Sequence, residues 1–438
     1  MFCDREAALR VLLIALGSHG DVHPFVGIGQ TLRARGHDVR VVANPYFERV
    51  IDEAGLAFVP IGTSEEYQHL AMDPALWRRL DGTRTVLASL GKTLRPVYEA
   101  IADNSVRGDT VVAASTLAFG ARVAQDHLGI PTATVHLQPS VFISALRPPT
   151  LPGTFMPAWL PVWMRRMQIR LIDRMADSMI LPSLNSFRRE LGLAPVRRAL
   201  TRYMHSPQRV IGLFPDWFAP PAPDWPAQTR LTGFPLFDES ETERLSEELL
   251  RFLEAGDPPM AFTPGSAMWS GHQFLAEAAR SCERLGRRGL LLTRHAGHLP
   301  ASLPPGVLHV GYAPFSALLP RCAALVHHGG IGTSAQALAS GIPQLVVPHA
   351  HDQPDNADRL QRLGVARIIQ PRQFRSARVA HALCELLGSS GVADRCHQIA
   401  SRFTGSGPNE NTADLIERVP DLEPAEGMPG APHPTTSG

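Results

Sequence analysis

The chain has 438 residues, of which 44% are hydrophobic and 19% charged, so it is long enough for two globular domains with separate cores. Its formal net charge of +1 excludes a general attraction to nucleic acid, and local groups must therefore hold any anionic ligand. Its five cysteines include no C-x-x-C pair, which excludes the common zinc and redox motifs and favours a cytoplasmic location.

The N-terminal half begins with the strand-helix-strand pattern of a parallel sheet. An apolar run at 11–16 precedes a polar glycine loop, and apolar residues then recur at helical spacing until Gly36. We expect this helix to begin near His23. Further apolar runs at 39–42, 110–114 and 132–135 continue the sheet. The first run is too short to span a bilayer, and no transmembrane helix is predicted elsewhere.

The segment 157–181 predicts an amphipathic helix. Its apolar stripe contains Leu160, Met164, Met167, Leu171, Met175 and Met179, and the opposite side contains Arg165, Arg166, Arg170 and Arg174. The simpler interpretation is that the stripe packs on the N-terminal lobe and the arginines form a solvated face. The alternative is an acceptor-side helix in peripheral contact with the inner membrane, because methionine-rich surfaces adapt to lipid chains.

Proline and aromatic residues dominate the segment 214–238, so neither a helix nor a central strand can continue through it. We place an interdomain linker there, between lobes at 9–213 and 239–405. Strands are expected in the second lobe at 260–263, 289–293, 307–310, 324–327 and 344–347. A helix at 406–419 and a disordered tail at 420–438 follow. The predicted class is α/β, with two Rossmann-like, doubly wound parallel-sheet lobes facing across a cleft.

The most informative segment is the glycine loop at 327–334, which lies between a predicted strand and a helix expected to begin near Thr333. Gly330 and Gly332 let the backbone approach a diphosphate, and the helix N-terminus offers free N–H groups and a partial positive charge. Alone, such a loop is more simply a tight turn. Gly-Ile-Pro at 341–343 and Asp-Gln-Pro-Asp-Asn at 352–356 follow it, and this combination favours a site for a diphosphate-linked sugar.

The run from 326 to 360 resembles the donor-binding signature of the family 1 glycosyltransferases, which have the GT-B fold. The resemblance implies that His328 and Thr333 contact the diphosphate of a nucleotide-sugar donor. It also implies that Asp352 and Gln353 form hydrogen bonds with the hydroxyls of the donor sugar.

Three further residues complete the donor side. Tyr312 occupies the place where many relatives carry a tryptophan that stacks on the base, although a core tyrosine is equally consistent with the sequence. Gln336 stands where many plant relatives have a glutamate that grips both ribose hydroxyls, which favours a thymidine-linked donor. Ser266 is the remaining donor-binding candidate.

Direct displacement of the diphosphate requires a base that deprotonates the acceptor hydroxyl. The GT-B relatives carry this base in the loop that corresponds to 17–24. Many have a histidine at the position of Asp21, which we take as the catalytic base, with His19 and His23 as alternatives. A purely structural role, in which Asp21 caps the following helix, is also consistent with the sequence.

Motifs at 204–208, 213–221, 224–226 and 232–238 look like those of the rhamnosyltransferases of rhamnolipid biosynthesis, and the likeness runs from about Leu9 to Phe403. It implies transfer of L-rhamnose from dTDP-L-rhamnose, with inversion, to a 3-(3-hydroxyalkanoyloxy)alkanoate, which gives a mono-rhamnolipid. It further implies a hydroxy-fatty-acid-type acceptor and functional pairing with the enzyme that makes it.

No cofactor is expected besides the donor substrate. Asp352, Asp355 and Asp358 could chelate Mg²⁺, but GT-B relatives do without a metal, so no metal site is expected. The alternatives are a GT-B transferase for a sterol or polyketide, a sugar-nucleotide 2-epimerase, and a non-catalytic partner subunit.

Overall fold

The computed structural model describes residues 8–71, 73, 76, 81–157, 159–238, 244–265, 271–403 and 407–424. Within these residues the strands form two sheets. The first contains β1 (Arg10–Ile14), β2 (Asp38–Ala43), β3 (Ala57–Pro60), β4 (Thr110–Ser115), β5 (Thr132–His136), β6 (Arg209–Gly212) and β7 (Thr229–Leu231). The second contains β8 (Met260–Thr263), β9 (Gly289–Leu292), β10 (Val307–Val310), β11 (Ala324–His327), β12 (Gln344–Val346) and β13 (Ala366–Ile368).

The helices lie between these strands. The N-terminal lobe carries α1 (His19–Ala34), α2 (Glu48–Glu53), α3 (Ser64–Ala71), α4 (Asp81–Asn104), α5 (Phe119–Leu128) and α6 (Val162–Glu190). After β7 come α7 (Glu247–Glu254), α8 (Gly271–Leu285), α9 (Phe315–Leu318), α10 (Ile331–Ala339), α11 (Gln353–Arg362), α12 (Ser376–Leu387), α13 (Ser390–Ala400) and α14 (Pro408–Glu417). Short 3-10 helices at Pro45–Phe47, Pro139–Val141, Ala296–His298, Leu319–Arg321, Pro371–Gln373 and Val419–Asp421, and a π turn at Ala199–Tyr203, complete the description.

Both sheets are parallel, and the predicted α/β class with two doubly wound lobes is confirmed. The strand orders are β3-β2-β1-β4-β5-β6-β7 and β10-β9-β8-β11-β12-β13. Each order reverses direction once, between β1 and β4 in the first sheet and between β8 and β11 in the second. Ligands bind at such switch points, beyond the carboxyl ends of the strands.

Two helices begin earlier than the sequence indicated. The first helix starts at His19, not near His23, because Ser18 is its N-cap and Asp21 completes a capping box three residues later. Pro24 is accommodated inside this helix. The helix after the glycine loop starts at Ile331, not near Thr333, with Gly330 as its N-cap.

The lobes are joined by more than one connection. The segment 214–238 contributes β7 as an edge strand of the N-terminal sheet. An apolar cluster on one side contains Phe214 and Phe218 together with Leu338 and Leu360 of the second lobe. The C-terminal helix α14 returns to the first lobe, where Arg35 forms ion pairs with three of its acidic residues, Glu410, Asp414 and Glu417.

The packing face of α6 differs from the predicted one. Its buried positions are Arg165, Ile169, Asp173, Ala176, Ile180, Leu184, Phe187 and Arg188, whereas Met167, Leu171 and Met175 of the predicted stripe are exposed. The prediction was right for Arg166, Arg170 and Arg174, which are exposed, and wrong for Arg165, which is buried. Arg165 instead donates from Nε to the Leu160 carbonyl at 2.9 Å, and Asp173 accepts from the Thr201 hydroxyl at 2.6 Å. Buried polar groups with partners of this kind are tolerated.

Among the described residues, no helix is both long enough and apolar enough to cross a bilayer.

Candidate functional site

The candidate residues cluster beyond the two switch points. Asp21 follows β1 on the N-terminal side of the cleft. His328 directly follows β11, and Gly265 follows the neighbouring strand β8. Because both switch points collect loops at the carboxyl edge of a parallel sheet, they bring together residues that are about 300 positions apart in the sequence.

Asp21 is half-buried in the first turn of α1. Its Oδ2 accepts hydrogen bonds from the Ser18 backbone N–H at 2.7 Å and from the Ser18 hydroxyl at 3.0 Å. Burial raises the pKa of the Asp21 carboxyl, and the two bonds from Ser18 partly oppose that rise. The predicted capping role and a catalytic role are therefore compatible, because the cap engages one carboxylate oxygen.

Gly17 makes room for this carboxylate. A Cβ at Gly17 would lie 2.3 Å from Oδ2 of Asp21, and the residue has a φ of +132°. Only glycine adopts this backbone conformation without strain. The conformation and the close approach together explain why the loop before α1 begins with glycine.

His19 and His23 lie one turn apart on α1, with their ring centroids 5.6 Å apart. Burial, assisted by the positive charge of Arg294, lowers the pKa of each imidazole to about 4. His19 also packs edge-on against Tyr46 and Phe47. Both rings are therefore neutral near pH 7, and His19 remains chemically able to accept a proton.

The N-terminus of α10 presents the backbone donors of the glycine loop. The Ser334 N–H already donates to the Gly330 carbonyl at 3.0 Å, so the free donors of this turn are those of Ile331 to Thr333. Gly332 is exposed, and a Cβ there would meet nothing within 4 Å. This open N-terminus has the chemistry of an anion site.

His328 stands beside these donors. Its ring packs between Gly265 and Gly330, where added Cβ atoms would lie 2.8 Å and 2.5 Å from it. Its buried Nδ1 has no hydrogen-bond partner, and the same is true of Nε2 of His349. Burial lowers the pKa of His328 to about 3, with neighbouring His327 and His349 contributing. Two buried nitrogens without partners indicate a place where a ligand supplies the missing bonds.

Asp352 carries a strongly perturbed carboxyl on the C-terminal side of the cleft. Burial raises its pKa to about 7, a bond of 2.6 Å from the Asn356 amide opposes the rise, and the Asp21 carboxylate adds to it. The two carboxylates therefore interact across the cleft, one from each lobe. The Asn356 amide also donates to the Gly329 carbonyl at 3.0 Å, which ties the Asp352 segment to the glycine loop.

The other residues of this segment are engaged in the fold. Gln353 is buried, and its Oε1 accepts from the backbone N–H groups of His349 and Ala350 at 2.8 Å and 3.2 Å. Asp355 forms an ion pair with Arg359 at 2.7 Å, and Asp358 forms one with Arg362. Among the described residues no group of three or more acidic, cysteine or histidine side chains is arranged to hold a metal ion.

Tyr312 is covered on one face by Arg294, whose guanidinium carbon lies 4.5 Å from the ring centroid. Gln336 is buried on α10, and Thr333 is half-buried in the first turn of the same helix. Ser266 lies outside the described residues.

Sequence reasoning missed Arg294, His349 and Ser18. Arg294 lies just after β9, at the carboxyl edge of the sheet, and acts electrostatically on His19 and His23 of the opposite lobe. Its position after a predicted strand was the signal that could have identified it. Ser18 carried a signal as well, because Ser-x-x-Asp before an apolar run is the pattern of a capping box. His349 carries no such signal, because its role depends on contacts made by the folded loops.

Comparisons with known proteins agree with this geometry. Residues 11–145 match the "Glycosyltransferase family 28 N-terminal domain", and residues 290–417 match the "Erythromycin biosynthesis protein CIII-like, C-terminal domain". The O-mycaminosyltylonolide 6-deoxyallosyltransferase of Streptomyces fradiae is 30% identical over 429 residues, which cover 96% of this chain and 100% of that protein.

Solved structures share the architecture. The glycosyltransferase of kitacinnamycin superposes with a TM-score of 0.72 at 23% identity, over 94% of this chain and 99% of that one. The spinosyn rhamnosyltransferase SpnG, complexed with thymidine diphosphate, superposes with a TM-score of 0.63 at 19% identity, over 93% and 100% of the two chains.

The protein has the GT-B fold, with two parallel-sheet lobes. The N-terminus of α10 on one lobe faces the Asp21 carboxylate on the other. The chain belongs to the glycosyltransferases that combine a family 28 type N-terminal domain with an erythromycin CIII-like C-terminal domain. The predicted glycosyltransferase family is thus confirmed.

Proposed function

We propose that this glycosyltransferase transfers L-rhamnose from dTDP-L-rhamnose to the hydroxyl of a 3-(3-hydroxyalkanoyloxy)alkanoate, with inversion at the anomeric carbon. The observation that carries the general reaction is the pairing of Asp21 on one lobe with the His328, Asp352 and α10 group on the other. Such a pairing suits a base on one side and a leaving diphosphate on the other.

In the proposed reaction, the acceptor oxygen attacks the anomeric carbon as the bond to the diphosphate oxygen breaks. Oδ1 of Asp21 takes the hydroxyl proton, because Oδ2 already accepts two bonds from Ser18. Burial favours this step, since a raised pKa makes the carboxylate a stronger base. The products are the glycoside, the nucleoside diphosphate and a proton on Asp21 that passes to solvent.

The negative charge on the departing diphosphate is met by the free N–H groups of Ile331 to Thr333 and by His328. The ring of His328 is neutral near pH 7 and donates from one nitrogen, so its buried Nδ1 gains a partner when the donor is present. Fixed dipoles in a site closed to water stabilise such charge strongly. Asp352 and the Nε2 amide of Gln353 are the proposed partners of the sugar hydroxyls. We expect activity without a divalent metal.

The thymidine nucleotide rests on two observations. Gln336 stands where relatives carry a ribose-gripping glutamate, and the SpnG structure of the same fold is complexed with thymidine diphosphate. Tyr312 is the proposed base-stacking residue, with Arg294 on its other face. The choice of L-rhamnose and of a lipid acceptor is based on the motifs at 204–208, 213–221, 224–226 and 232–238.

The test crosses donors with acceptors. dTDP-L-rhamnose, UDP-L-rhamnose and dTDP-D-glucose are each incubated with a 3-(3-hydroxyalkanoyloxy)alkanoate, a sterol and a macrolide aglycone, with and without EDTA, and products are read by mass spectrometry. The proposal expects rhamnosylated lipid, faster from the thymidine donor and unaffected by EDTA. Equal kcat/KM for the two rhamnose nucleotides would refute the thymidine assignment, and loss of activity in EDTA would refute metal independence.

A macrolide or other polyketide acceptor is the second candidate. It is favoured by the 30% identical deoxyallosyltransferase, whose name records a tylonolide acceptor, and by the erythromycin-type C-terminal domain. Glycosylation of the macrolide aglycone with no transfer to the lipid would replace the first proposal with this one.

A further inference from the structure

A row of largely exposed apolar side chains begins in the segment before α6 and continues along the first part of that helix. We call it the α6 strip, and it consists of Phe155, Trp159, Trp163, Met167, Leu171 and Met175. These side chains are 52–74% exposed, whereas every other exposed large apolar side chain among the described residues is only 38–42% exposed. Apolar side chains concentrated at one place in this way mark an interaction surface.

On α6 the strip is an inclined ridge, because residues four apart advance by about 40° around a helix with 3.6 residues per turn. From Trp163 to Met175 its members recur every four residues, so they span about 18 Å along the helix at 1.5 Å per residue. The opposite face of α6 is fixed in the core, where Ile180 and Leu184 pack against Leu87 and Leu90 of α4. The ridge therefore cannot turn inward without loss of that core.

Positive charge borders the ridge. Arg166, Arg170 and Arg174 are exposed beside it, and none forms an ion pair with a described residue. The acidic residues of this part of α6 face elsewhere, since Asp173 is buried against Thr201, and Asp177 accepts the backbone N–H groups of Arg198 and Ala199. The surface is thus apolar along one line and cationic along the next.

We propose that the α6 strip docks on the surface of an anionic lipid bilayer, with α6 lying in the plane of the interface. Tryptophan favours the headgroup level, leucine and methionine enter the acyl boundary, and arginines pair with lipid phosphates. A second copy of the chain suits the surface less well, because a two-fold contact would set the three arginines beside one strip against those beside the other.

The loop that precedes α6 links the α6 strip to the donor side of the cleft. The loop between β5 and α6 contacts the donor side, where the Thr150 N–H and hydroxyl donate to Asp355 and Asp358, each at 2.9 Å. The same loop packs against the start of α6 through Met156 and Ile169. An amphiphilic acceptor would then have a short path to the cleft. That consequence rests on the proposed function, whereas the membrane contact does not.

The test is co-sedimentation of the full chain with vesicles, without donor or acceptor. Vesicles of phosphatidylcholine alone are compared with vesicles containing half phosphatidylglycerol. Trp163→Ser with Leu171→Ser removes apolar area, and Arg166→Gln with Arg170→Gln and Arg174→Gln removes charge. Matched controls are Val106→Ser with Leu128→Ser, and Arg107→Gln with Arg372→Gln and Arg378→Gln, which change exposed residues elsewhere.

The expected result is binding to the anionic vesicles that both strip variants weaken at least tenfold and both controls leave unchanged. High salt should weaken the wild type more than the arginine variant. Absence of wild-type binding, or strip variants that bind like the wild type, would overturn the proposal. A wild-type dimer that Trp163→Ser with Leu171→Ser converts to a monomer, seen by light scattering, would also overturn it, because the strip would then be a self-association surface. None of these readouts depends on the transfer reaction.

Discussion

Replacing Asp21 by asparagine should separate its catalytic role from its structural one. Asparagine keeps an oxygen that accepts from Ser18, so the first turn of α1 retains the bonds that now measure 2.7 Å and 3.0 Å. A lost helix cap typically lowers the free energy of unfolding by ~0.5–2 kcal/mol. Since the cap persists in Asp21→Asn, we expect a smaller change, and none in dTDP affinity.

The amide cannot accept the proton of the acceptor hydroxyl. Loss of a general base lowers kcat by ~10²–10⁴-fold, which corresponds to about 2.7–5.4 kcal/mol of transition-state stabilisation. Initial rates at saturating donor give kcat, titration gives the affinity for dTDP, and thermal unfolding gives the stability. Ser18→Ala is the matched control, because it removes the 3.0 Å bond and the hydroxyl's part in the capping box but keeps the Asp21 carboxylate, and it should change kcat only a few-fold. Normal turnover by Asp21→Asn with inactivity of His19→Ala would refute this reasoning and identify His19 as the base.

Three further predictions test the donor side and the loop before α1. His328→Ala should lose ~10²-fold in kcat with little change in Tm, because Nδ1 of His328 has no partner in the fold. The control His327→Ala should lower Tm, because it breaks the bonds of His327 to Gln344 and Gly329. Full activity of His328→Ala would contradict the assignment. Asp352→Asn should match the wild type in Tm near pH 4 and exceed it at pH 8. The pKa of Asp352, raised to about 7, means that the stability of the wild type falls as pH rises from 3.8 to 7. The fall is at most about 4 kcal/mol at 1.36 kcal/mol per pKa unit, and it is smaller where solvent reaches the carboxyl. A Tm difference that does not change with pH would count against a raised pKa of Asp352. Gly17→Ala should lower kcat at least tenfold, because the new Cβ would lie 2.3 Å from the Asp21 carboxylate. Gly36→Ala is the control for backbone strain, since Gly36 has a φ of +90° and no atom within 4 Å of an added Cβ, and this variant should keep its activity.

The sequence alone determined the class of the fold and most of its central strands. Apolar runs of four to six residues predicted β1, β2, β4, β5 and β8 to β12, because a strand buried on both faces leaves a continuous hydrophobic signal. The glycine loop before α10 was equally readable. Its glycines and the polar residues that follow are required by the local backbone conformation, and such local requirements can be read directly from the residue types in sequence.

Other elements depended on partners far away in the chain. The apolar pattern did not predict β3, β6, β7 and β13, because each is short and contains a proline or an arginine that shortens its apolar run, and pairing with neighbouring strands holds it in the sheet. The start of α1 differs by four residues for a local reason, because the Ser-x-x-Asp capping box of Ser18 and Asp21 begins the helix before its first apolar position. The buried face of α6 was only partly predicted, because Arg165 and Asp173 find buried partners that no periodicity reveals.

The site itself divides in the same way. The resemblance to the glycosyltransferase motifs proposed Asp21, His328 and Asp352 one at a time. Only the tertiary structure decided that the Asp21 carboxylate acts on Asp352 across the cleft and that Arg294 reaches the histidines of α1. Electrostatic interactions depend on distance and burial, and both are fixed when the two switch points are brought together by the packing of the lobes.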